Sequence, residues 1–122
     1  MSIKHHAFRI YIEPSMLAPS IAFYEKLQGM TCERRIAFAE LGVEVAVVGA
    51  FILLAGTNEA LAPIRSATAV LIVDSLDETL DWVRTQGATV LHEPQHAAGG
   101  RHATVRHADG LVAEYYEPAA SA

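Results

Sequence analysis

A chain of 122 residues with 52% hydrophobic and 19% charged side chains is long enough to bury a core and too apolar to be disordered. A formal net charge of −5, with no cluster of Lys or Arg, argues against nucleic acid as a partner. The single Cys32 rules out an internal disulfide and fits a reducing cytoplasm, where the protein is expected to reside. The first residues lack the apolar core of a signal peptide, and the run from Val43 to Ala55 is too short to cross a bilayer, so no membrane partner is expected.

From His5 to Glu13 the chain alternates. His6, Phe8, Ile10 and Ile12 share one face of an expected strand, and His5, Ala7, Arg9 and Tyr11 share the other. Leu17, Ile21, Tyr24 and Leu27 then recur at helical spacing, and Gly29 is placed to stop that helix. Pro19 fits only a first helical turn, which leaves the helix start open over several residues. Strands are expected at Thr31–Ala39, Val43–Val48 and Phe51–Ala55, with tight turns at Gly42 and Gly49. Thr57–Ser66 reads as a linker.

The second half repeats the order. Thr68–Asp74 is an expected strand, and Ser75 caps a helix in which Glu78 would complete a capping box. Leu76, Leu80 and Val83 form its buried stripe and Gly87 ends it. Strands follow at Thr89–Glu93, Arg101–His107 and Leu111–Glu117, and the tail Pro118–Ala122 is expected to fray. Glu13 has its echo at Asp74, Gly29 at Gly87 and Gly49 at Gly110, so the chain contains an internal repeat. The fold class is α+β, one domain of two βαβββ modules spanning about residues 1–57 and 66–118.

The Ser20-Ile-Ala-Phe-Tyr-Glu25 helix and the Asp109-Gly110 turn leading into Val112-Ala-Glu-Tyr-Tyr116 carry a resemblance. On a duplicated chain they resemble the vicinal oxygen chelate superfamily of glyoxalase I, bleomycin-resistance proteins and extradiol dioxygenases. The resemblance implies a curved mixed sheet around a cavity, and a homodimer. It also implies four ligand columns in metal-using members, which fall here on His5 (or His6, if the strand is shifted by one), Leu53, Thr68 and Glu114. Leucine cannot coordinate a metal and a threonine hydroxyl is a poor ligand, so no cofactor is expected. A divalent metal held by His5 and Glu114, and completed by His102 or a partner chain, is the alternative.

Within that frame Val112, Glu114 and Tyr116 face away from the helices. Glu114 is the candidate proton acceptor, or else an inherited carboxylate paired with Arg9. Arg9, on a face with His5 and Tyr11, would clamp a carboxylate or phosphate, or pair internally with Glu114 or Glu44. Gly99-Gly100 reads as a mobile flap carrying Arg101 and His102 over the cavity mouth, or as a simple hairpin turn. Leu53, Thr68, Val70 and Tyr116 complete the expected ligand-binding set, and His92, His96 and His107 read as surface or turn residues. Two functions are open. One is a metal-independent small-molecule binding protein of the bleomycin-resistance type, with an apolar pocket for an aromatic or peptide-like ligand. The other is a glyoxalase-like lyase or isomerase, or a dioxygenase relative, with Glu114 moving a proton.

Overall fold

The computed structural model describes residues 1–97 and 99–120. Position 98, inside the expected flap, and the end of the expected frayed tail lie outside the described residues. Element order is β1 (Ile3–Ile12), a 3-10 turn (Pro14–Met16), α1 (Leu17–Gln28), β2 (Arg34–Phe38), β3 (Val43–Val48), β4 (Phe51–Gly56) and α2 (Asn58–Leu61). Then follow β5 (Ala69–Val73), α3 (Leu76–Thr85), β6 (Thr89–Ala97), β7 (Gly100–Arg106) and β8 (Val112–Pro118). The class is α+β with βαβββ order in each half, as the repeat implies. No helix among the described residues is long and apolar enough to cross a membrane.

Two compact units emerge, and their boundary cuts β1. Ala7–Ser66 forms one unit; Met1–His6 joins the chain from Ala67 onward in the other. The N-terminal residues belong there because Ser2 N donates to Asp74 Oδ1 at 2.9 Å and Asp74 N donates to Ser2 O at 3.2 Å.

In the unit Ala7–Ser66 the strands run β2-β3-β4-β1, with β1 and β4 parallel and the other pairs antiparallel. Leu17 and Ile21 of α1 pack on Ala46, Val48, Leu53 and Ala55, with Ile10, Ile12, Tyr24 and Phe51 at the margin. Leu17, Ile21, Val48 and Leu53 each contribute about 1.5–3 kcal/mol by leaving water. Leu27, expected on this stripe, is 61% exposed instead. Helical geometry brings Gln28 under the sheet edge, where its amide donates to Val48 O at 2.8 Å and accepts from Ala50 N at 2.9 Å. Gly29, in the left-handed region at φ 66°, stops the helix as expected. The opposite sheet face packs Val43 and Leu54 against Leu61, with Tyr11, Ile52 and Ile64 around them. The expected linker therefore contains a short helix, α2. Thr57 caps it by accepting from Ala60 N at 3.1 Å, and buried Leu61 anchors it.

In the other unit the order is β5-β8-β7-β6, with β5 and β8 parallel. Leu76, Leu80 and Val83 of α3 pack on Val73, Ala103, Val105, Ala113 and Tyr115, so one residue in two along each strand faces the helix. Ser75 Oγ accepts from Glu78 N at 3.2 Å, but the expected capping box is only half formed. Asp74 Oδ1 takes the Ser75 N–H instead, and the Glu78 carboxylate pairs with the Met1 ammonium at 3.3 Å. Glu117 adds a second cap by accepting from Leu76 N at 2.7 Å. β6 runs four residues beyond its expected end. It is the last strand of the order, where Pro94 removes no inner ladder hydrogen bond.

Candidate functional site

Strand parity decides which side chains meet on the face of β5-β8-β7 turned away from α3. Val70 pairs with Glu114, Thr104 with Glu114 and His102 with Tyr116. Glu114 is 8% exposed and would be a costly buried carboxylate without partners. It has two. His102 Nδ1 hydrogen-bonds Oε1 at very close range, and the Thr104 hydroxyl donates to Oε2 at 2.7 Å.

That geometry fixes the protons. A carboxylate only accepts, so His102 carries hydrogen on Nδ1, and a neutral ring presents its lone pair at Nε2. The Thr104 hydroxyl, donating to Glu114, accepts from His92 Nδ1 at 3.1 Å. His92, Thr104, Glu114 and His102 therefore form one hydrogen-bonded chain across β6, β7 and β8. The His102 side chain is 36% exposed, so its ring is more open to solvent than the Glu114 carboxylate it bonds. A carboxylate-oriented imidazole of this kind abstracts or donates a proton.

The remaining expected residues disperse. Arg101 does not accompany His102, because neighbours on a strand point to opposite faces. It lies with Ala103 and Val105 and pairs with Asp77 of α3 at 3.1 Å. Leu53 is fully buried beneath α1 and lines no ligand site. The β1–β4 ladder sets Ile10 beside Leu53, as the β5–β8 ladder sets Leu71 beside Tyr115. The counterpart of Glu114 in the first half is consequently Ile52, one residue from the sequence match, and a one-residue slip turns a strand residue over. Thr68 is exposed just before β5, and its N–H donates to Val112 O at 3.0 Å. His5 is exposed, with its ring stacked beside that of His6.

Tyr116 explains the double glycine. A Cβ at Gly100 would lie 2.2 Å from Glu117 O and 3.0 Å from Tyr116 Cζ, and one at Gly99 would lie 3.1 Å from the Tyr116 hydroxyl. Gly99 and Gly100 thus let β7 start directly against β8 under the Tyr116 ring.

In the unit Ala7–Ser66, Arg9 does not make the expected salt bridge to Glu44, which pairs with Arg35 at 2.7 Å. Arg9 Nη1 donates instead to the Tyr11 hydroxyl at 3.2 Å, and that hydroxyl donates to Ile64 O at 2.7 Å.

A cavity of about 430 Å³ lies on the α3 side of the other unit, away from Glu114. Its apolar wall includes Leu71, Val73, Trp82, Val83 and Ala88, and its polar end is Tyr115, whose hydroxyl meets His107 Nε2 at 2.6 Å. Burial pushes the Tyr115 phenol above its ordinary range. None of the ligand-binding residues expected from sequence lines this cavity.

Of the four expected metal columns, Leu53 is core and Thr68 offers only a neutral hydroxyl, while Glu114 and His102, two donors of the expected alternative, hydrogen-bond each other. Among the described residues no three His, Cys, Asp or Glu side chains gather as a metal site.

The chain is similar throughout its length to an uncharacterized protein from Methanosarcina mazei of known structure. The two are 34% identical over all of this chain and 98% of that one, with a TM-score of 0.83. The chain belongs to the family of that protein. Methylmalonyl-CoA epimerase from Mycobacterium tuberculosis is similar at 18% identity, over 97% of this chain and 90% of that one, with a TM-score of 0.72. A Streptomyces coelicolor methylmalonyl-CoA epimerase variant, solved in complex with 2-nitronate-propionyl-CoA, is similar at 20% identity. That match covers 98% of this chain and 100% of the other, with a TM-score of 0.71. The fold is thus the vicinal oxygen chelate, or glyoxalase-like, fold that the repeat and the Asp109-Gly110 turn resemble. No family model and no curated protein sequence matches the chain.

Proposed function

We propose that the protein is an isomerase that moves a proton on a carbon next to a carbonyl, in the manner of an acyl-thioester epimerase. The carrying observation is the buried Glu114 carboxylate bonded to the more exposed His102 ring. Solved neighbours named as methylmalonyl-CoA epimerases favour this reading over sequestration without chemistry.

His102 Nε2 takes the proton from the carbon acid, and the imidazolium that forms is stabilised by the Glu114 charge beneath it. Thr104 holds the second carboxylate oxygen, so the carboxylate does not rotate away. Electrons left on carbon delocalise into the carbonyl as an enolate; water protonates its opposite face, the resulting hydroxide takes the proton held by His102, and the epimer is formed. No step of this reading is assigned to a metal. Metal content of protein purified without chelator tests that point.

We also propose a homodimer. Phe23 and Leu27, one turn apart on α1, are 60% and 61% exposed, more apolar surface than a helix in water ordinarily presents.

The test is incubation with methylmalonyl-CoA and other acyl thioesters in deuterium oxide, followed by NMR of the α-proton. Wash-in of deuterium that is lost in His102→Gln and Glu114→Gln supports the isomerase. Tight binding with no wash-in for any thioester would return the protein to the binding class.

A further inference from the structure

We propose that Arg9, Tyr11 and Arg65 form an oxyanion subsite in the unit Ala7–Ser66, one that takes a carboxylate or phosphate group of the ligand. Arg9 is anchored at one corner, where Nη1 donates to the Tyr11 hydroxyl at 3.2 Å. The hydroxyl can accept that bond because its own proton goes to Ile64 O at 2.7 Å. Arg65 closes the other side, its guanidinium carbon 5.7 Å from the Tyr11 ring centroid, in cation–π range. Two cations therefore bracket one phenol.

Their charge is unbalanced. The chain carries 14 acidic side chains against nine Lys and Arg, and Arg35, Arg84 and Arg101 each hold a carboxylate. Among the described residues neither Arg9 nor Arg65 does; Arg65 reaches only the Asn58 side-chain oxygen, at 3.4 Å. Arg9 Nε is buried from solvent with no hydrogen-bond partner. An unmet N–H on a desolvated cation costs more than the usual orphan donor, so an arriving oxyanion gains what water cannot supply. The unused edge of the guanidinium, Nε with Nη2, is the planar fork that matches two oxygens of a carboxylate or phosphate.

Oxyanion binding to this subsite is measured separately from turnover. Inorganic phosphate, pyrophosphate, acetate and succinate are titrated into the protein against chloride at matched ionic strength. Thermal midpoint and, for the phosphates, 31P line width are followed. The proposal expects at least one oxyanion to raise the midpoint above the chloride control. Arg9→Met and Arg65→Met should each weaken that affinity by about tenfold or more, while Glu114→Gln leaves it unchanged. Response to carboxylates alone, or to phosphates alone, identifies the group the site takes. No response beyond chloride, or wild-type affinity in both arginine variants, overturns the proposal. Arg65 lies on the surface, so Arg65→Met remains a fair test if Arg9→Met misfolds. Loss of deuterium exchange in Glu114→Gln with oxyanion binding retained separates the two claims.

Discussion

At the residue scale, the chain His92–Thr104–Glu114–His102 is the part of the molecule with the most chemistry at stake. A buried carboxylate is tolerated only because two donors hold it, so each donor should register in stability. Thr104→Val keeps the shape and removes the hydroxyl from Oε2. The expected cost is about 1–3 kcal/mol in chemical denaturation. A cost near zero would mean that Thr104 is not needed to satisfy Glu114. Tyr115 gives a pH signature. Burial raises its phenol, so the folded state favours the neutral form. That contribution is complete below the ordinary phenol value of about 10 and is lost as pH rises through the raised folded value. Tyr115→Phe should flatten the alkaline fall in stability, read from thermal midpoints across that range.

Part of this site was legible and part was not. Alternation along the last strand puts Glu114 opposite Ala113 and Tyr115, and that parity places it correctly on the face away from α3. Parity alone also puts Thr104 on the face of His102, a signal present in Arg101–His107. His92 could not be seen, because its pairing with Thr104 depends on irregular register in β6 on both sides of His92. Arg101 was assigned beside His102 by proximity in sequence, where strand geometry separates them. Leu53 was lost to a one-residue difference between the two modules that glycine spacing did not reveal.

At the element scale, the repeat gave both long helices, each with a glycine just past its end, and all eight strands. What it missed were pieces stabilised by single contacts. α2 depends on the Thr57 cap and on Leu61, and Gln28 takes the buried helix position expected for Leu27. Close backbone approach makes Gly100 the most sensitive position in β7. Gly100→Ala sets a Cβ 2.2 Å from Glu117 O, so strand pairing must open. A loss of about 1–3 kcal/mol is expected in denaturant unfolding, with β7–β8 amides losing hydrogen-exchange protection. Ser75→Ala removes one of the caps of α3 and should cost about 1 kcal/mol. Glu117, which caps Leu76 N, keeps the helix in place.

At the scale of the whole molecule, family membership is carried by the Methanosarcina mazei relative, and the fold by neighbours of lower identity. The proposed homodimer is expected to appear in sedimentation, with Phe23→Glu shifting it to monomer while the circular dichroism spectrum is retained, and a wild-type monomer would overturn it. The central claim is proton transfer by the His102–Glu114 pair. It is tested most directly by NMR of deuterium wash-in at the α-carbon of an acyl thioester in deuterium oxide. The account predicts exchange by the wild type and a fall of about two to four orders of magnitude in Glu114→Gln. Equal exchange in both proteins, or none above the uncatalysed rate in the wild type, would contradict it.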